Sequence, residues 1–67
     1  MNMRKNYYAV ATGNKIGIFS NYHRCLHQTY GYSNSKFKGF IDFEDARDYV
    51  YEETGILINE WEVDKEI

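Results

Sequence analysis

Lys36-Phe37-Lys38-Gly39-Phe40-Ile41, followed without a break by Asp42-Phe43-Glu44-Asp45-Ala46, decides how this chain folds. The first six residues read as a β-strand. Phe37 and Phe40 are three apart, so on a strand they point to opposite faces: one packs under helices and the other faces outward. Asp42 then caps a helix, and Asp45 adds the early negative charge that the helix dipole favours. Phe43, Ala46 and Val50 recur at i, i+3 and i+7 as an apolar stripe, Tyr49 widens it, and Gly55 stops the helix.

Upstream, Tyr7 to Thr12 reads as a strand, Gly13-Asn14 as a turn in which both residues tolerate positive φ, and Ile16 to Phe19 as the returning strand. Ser20 and Asn21 compete as N-caps of a helix over Tyr22 to Thr29, with Tyr22, Cys25, Leu26 and Thr29 on one side. Gly31 closes that helix and Tyr32-Ser33-Asn34-Ser35 forms a polar loop. The order β-β-α-β-α predicts an α+β domain, a three-stranded antiparallel sheet with two helices, over residues 7–55. Residues 1–6 read as a loose basic lead-in. Residues 56–67 form an acidic, apolar tail whose pattern is ambiguous: Ile56 and Ile58 alternate like a strand, Leu57 and Trp61 are spaced like a helix.

The charge is divided along the chain. Residues 1–40 carry six Lys and Arg and no Asp or Glu, a formal +6, whereas residues 41–67 carry two against ten carboxylates, a formal −8. Eight of the twelve aromatics lie in the basic part. Cations interleaved with flat rings suit a nucleic-acid surface, which needs charge for phosphates and rings for sugars or bases. One cysteine excludes an internal disulfide and a multi-cysteine zinc site. No apolar run is long enough for a membrane span or a secretion signal, so the chain reads as soluble, intracellular and cytoplasmic.

Residues Tyr7 to Val50 resemble the N-terminal hybrid-binding (viroplasmin-like) domain of eukaryotic-type ribonuclease H. The resemblance is carried by Tyr8-Ala9-Val10, Gly13 with Lys15, Gly17 with Ile18-Phe19, Tyr22 three before Cys25, Gly31-Tyr32, Lys36 to Phe40, and Glu44 with Ala46. It implies sequence-independent binding of RNA–DNA hybrid or double-stranded RNA through the shallow minor groove of an A-like duplex, without catalysis. By the same resemblance, backbone amides of Ser33, Asn34, Ser35 and Lys36 would meet 2′-hydroxyls. Tyr22 and Phe37 would pack on deoxyriboses, and Lys36 and Lys38 would hold phosphates. Lys15 and Arg24 join them as basic candidates. Two departures imply weaker binding: Tyr22 stands where the family usually has Trp, and Gly39 where many members have a second basic residue.

Other patterns read as structural. Cys25 is a core thiol, and Tyr22 serves equally well as a staple on its helix. His23 and His27 share a face at metal-ligand spacing, but Cys25 lies about 200° round from His23 and cannot join them. Asp45, Asp48 and Glu52 form a solvated row on one helix face. No enzyme activity, cofactor or metal is expected. The alternative function is a protein-interaction module using the acidic second helix and the Trp61 tail. That tail docks in cis, meets a protein partner, or adds a strand to a sheet edge to make a homodimer.

Overall fold

The computed structural model describes residues 5–65. Three antiparallel strands, β1 (Tyr7–Thr12), β2 (Gly17–Phe19) and β3 (Lys36–Phe40), form a sheet in the order β2-β1-β3. Helix α1 (Tyr22–Thr29) follows β2 and helix α2 (Phe43–Thr54) follows β3, which gives the β-β-α-β-α order expected.

β1 is apolar on both faces because both are covered, as a central strand's must be when helices lie above and below it. Ala9 and Ile18 pack with Phe43, Ala46 and Val50 of α2, while Val10 and Phe19 pack with Cys25 of α1. Tyr7 and Phe40 join the α2 side, where Tyr7 meets Phe43 edge-on at 5.8 Å and Phe40 lies 5.5 Å from Tyr49. The opposite directions expected of Phe37 and Phe40 are therefore realised, with Phe40 inward.

Local chemistry sets the element ends. Asn21, not Ser20, caps α1: its side-chain oxygen accepts from the His23 amide at 2.7 Å. Gly31 takes φ 73° just after α1, and Gly55 takes φ 77° at the end of α2 with its amide donating to the Tyr51 carbonyl. Asp42 occupies the N-cap position of α2, but its carboxylate accepts no capping hydrogen bond.

Two expectations are corrected. Gly13-Asn14 turns without a positive φ; Gly13 is needed because a Cβ there would sit 2.7 Å from the Gln28 carbonyl oxygen, which also accepts from the Asn14 amide. The turn is packed onto the end of α1, so its constraint is steric. The loose lead-in does not include Asn6, whose amide and side chain donate to the carbonyls of Phe40 and Ile41; residues 1–4 of that segment lie outside the described residues.

Of the arrangements open to the tail, the structure has docking in cis, and among the described residues the tail forms no strand. Ile58 is 1% exposed within the α2-side core, and a 3₁₀ turn (Glu60–Glu62) is closed by a capping box between Asn59 and Glu62. Those Asn59 donors also lower the Glu62 pKa. Beyond it the Asp64 amide donates to Ile18 of β2 at 2.8 Å, and the Asp64 carboxylate accepts from the Ser20 amide and hydroxyl. Edge pairing with a second copy through this segment gives way to that contact.

Candidate nucleic-acid interface

α1 covers only part of its side of the sheet, and what it leaves open is aromatic. Val10 pairs with Phe37 and Tyr8 with Gly39, and directly paired residues share a face. Phe37 and Gly39 therefore lie on the same side as Tyr8, Val10 and α1. The Tyr22 ring, at the start of α1, stands 5.4 Å from the Tyr8 ring. Phe37 is 37% exposed and Tyr22 46%, with Tyr8 half-buried at the floor between the helix and β3. A Cβ at position 39 would come within 3.1 Å of the Tyr8 ring and of the Lys5 stem. Glycine there keeps the Tyr8 ring uncrowded, so the missing basic side chain leaves ring surface in its place.

The loop before β3 lies at one end of this face. Asn34 takes φ 62°, a left-handed conformation that Asn tolerates, and Ser33 and Asn34 are both exposed. Ser33 and Asn34 form a turn, and their own amides make no hydrogen bond among the described residues. An extra residue in β1 between Val10 and Thr12 forms a bulge, and it brings Lys36 opposite Thr12. The Gly13–Ile16 turn with exposed Lys15 thus shares the end of the sheet that carries the loop.

The basic candidates are not gathered on the aromatic face. Lys38 pairs with Ala9 and so lies on the α2 side, where its ammonium sits 5.5 Å from the Phe40 ring centre. Lys36 is ion-paired with Glu53 of α2, and the hydrogen bond and charge of that carboxylate raise the lysine's pKa. β3 is an edge strand, so Phe37 leaves one face of that edge and the two lysines the other. Arg24 is two residues, about 200° of helix, from Tyr22 and points to the far flank of α1, 4.0 Å from Asp64.

Sequence inspection missed Tyr8. Its signal was the adjacent pair Tyr7-Tyr8 in a strand, one of which had to face away from α2. Cys25 is fully buried and its thiol pKa is pushed up to about 11 by desolvation, as suits a core residue rather than a nucleophile. No group of three or more His, Cys, Asp or Glu among the described residues could hold a metal ion. No described helix is long and apolar enough to cross a membrane.

Residues 6–50 match the family model of the ribonuclease H1 N-terminal domain. A curated relative, a ribonuclease H of Crithidia fasciculata, is 35% identical over 48 residues, which is 72% of this chain and 10% of that protein. The chain thus spans only about a tenth of the length of the relative it matches. No solved structure gives a significant match.

Proposed function

The chain belongs to the family of ribonuclease H1 N-terminal domains, and from that premise we propose that it binds RNA–DNA hybrid or double-stranded RNA, without sequence preference and without catalysis. The observation that carries this is the half-open face of Tyr8, Tyr22 and Phe37 beside a loop of unpaired amides. A-like duplexes present a wide, shallow minor groove lined by 2′-hydroxyls and sugar faces. Amides of Ser33 to Ser35 supply donors for the hydroxyls, and the three rings supply apolar surface for sugars of the facing strand. Lys38, and Lys15 at the same end of the sheet as the loop, supply charge for the flanking phosphates; Lys36 does so less, being shared with Glu53.

Competition between RNA–DNA hybrid, double-stranded RNA and DNA duplex of equal length and sequence tests the proposal. Either A-like duplex should displace labelled hybrid at lower concentration than B-form DNA, because DNA lacks the hydroxyls and has a narrower minor groove. Equal competition by all three would reduce the site to a generic basic patch. Salt gives a second measure. With two to four phosphates held, log affinity should fall against log salt with a slope of roughly −2 to −4. A flat plot would place the lysines away from the duplex.

The C-terminal segment supports a second function. Trp61 is 72% exposed although its neighbours Ile58 and Val63 pack inward, and it stands between Glu60 and Glu62. A large ring held outward on a capped turn amid carboxylates suits a basic protein partner. Trp61→Ala should then weaken capture of such a partner while duplex affinity stays the same; loss of duplex affinity instead would assign Trp61 to the nucleic-acid surface.

A further inference from the structure

On the flank of α1 opposite Tyr22 a cleft opens between the helix and the docked tail. It is lined by Asn21, His23, Arg24 and His27 on the helix side and by Asp64 and Lys65 on the tail side. The far wall exists only because the tail is pinned there by the Asp64–Ser20 and Asp64–Ile18 hydrogen bonds.

We propose that this cleft is a binding site for a phosphate group. Arg24 and Lys65 line the cleft with one carboxylate, Asp64, which is already engaged by Ser20, and Lys65 also lies within Coulombic reach of Glu62. Asp64 accepts from the Ser20 amide at 2.9 Å and its hydroxyl at 2.5 Å, which anchors it independently of Arg24. The Arg24 guanidinium approaches Asp64 only through Nε at 4.0 Å and makes no hydrogen bond among the described residues, so its donors remain available. The side chains of His23, His27 and Lys65 likewise make no hydrogen bond among the described residues. Around this concave surface donors outnumber the one lining carboxylate, and a planar guanidinium on one wall with an ammonium on the other suits the oxygens of a phosphate. Asn21 and Phe19, at the rim and back of the cleft, add no charge.

Because α1 stands between them, the cleft and the Tyr22–Phe37 face cannot share one phosphate. The cleft takes either a free phosphate or a backbone phosphate of a separate nucleic-acid segment, and the chemistry is common to both. The test is an NMR titration of the full chain with inorganic phosphate, with chloride at matched ionic strength as the control. Saturable shifts at Arg24, His23, His27 and Lys65, absent with chloride, are expected, with Tyr22 and Phe37 unmoved. The variant Arg24→Gln with Lys65→Ala should weaken phosphate binding about tenfold or more, as loss of charged hydrogen bonds does. Its unchanged melting temperature would confirm that Ser20 still anchors Asp64. Non-saturable shifts, shifts equal to those of chloride, or full affinity in the double variant would overturn the proposal.

A second titration, with a short RNA–DNA hybrid and the Phe37→Ala variant, identifies the source. Shifts in the cleft that survive Phe37→Ala assign it a backbone phosphate. A cleft that answers inorganic phosphate but not hybrid holds a free phosphate. Failure of hybrid to bind the aromatic face leaves the phosphate titration intact and counts against the proposed function alone.

Discussion

Replacing Ile58 by alanine is expected to lower the melting temperature by about 10–30 °C. The residue lies outside the stretch that matches the family model, in a tail whose sequence pattern is ambiguous, yet it is 1% exposed among Ala9, Ile18, Phe43, Ala46 and Val50. A buried Ile→Ala change costs about 2–5 kcal/mol, and in a domain of this size each kcal/mol moves the midpoint by about 4–8 °C. So small a domain has a narrow margin, and the variant should be substantially unfolded at physiological temperature. Trp61→Ala, three residues on, should leave the midpoint nearly unchanged, since surface changes fall within about 0.5 kcal/mol. The contrast separates a docked tail from a merely apolar one. Removal of residues 56–67 should reproduce the Ile58→Ala loss in thermal denaturation without changing the mass state in sedimentation. A truncated chain as stable as the whole would show that the core closes without the tail.

The element order was legible because each element carries its own local signal. The paired tyrosines and Val10 mark β1, Asn21 and Gly31 bracket α1, and the Phe43-Ala46-Val50 stripe with Gly55 delimits α2. What failed was whatever depends on a distant part of the chain. Gly13 reads locally as a positive-φ turn residue, but its constraint comes from the Gln28 carbonyl in the next element. The tail is ambiguous by period because Ile56, Ile58 and Val63 pack inward at uneven spacing while the 3₁₀ turn throws Trp61 out.

The candidate site divides the same way. Strand alternation alone put Phe37 and Phe40 on opposite faces. It also puts Lys36 and Lys38 opposite Phe37, yet those three residues read as one cluster when taken as neighbours along the chain. The bulge at Val10–Thr12, the Lys36–Glu53 pair and the Tyr8–Tyr22 contact all join residues far apart in sequence, and no spacing pattern discloses them.

The aromatic face yields the largest expected loss of binding. Phe37→Ala should reduce affinity for RNA–DNA hybrid by about tenfold or more, and Phe37→Ala with Tyr22→Ala should abolish measurable binding. Ring contacts with single bases are worth about 1–3 kcal/mol each by alanine substitution, a range that spans about 5- to 150-fold. The fold should survive, because Phe37 belongs to neither buried cluster and sits on an edge strand, and Tyr22 is nearly half exposed. Circular dichroism on the same samples separates lost contact from lost structure. The reverse substitution is as informative: Tyr22→Trp enlarges the ring that flanks Tyr8 and should tighten binding. Lys38→Ala should act differently from either. It removes a charge from the other face of the edge, so it should weaken all duplexes alike and flatten the salt slope by about one, leaving the preference for A-like duplex intact. A folded Phe37→Ala, Tyr22→Ala protein that still binds hybrid at full affinity would move the interface off this face, and the basic cleft beyond α1 would then be the first place to look.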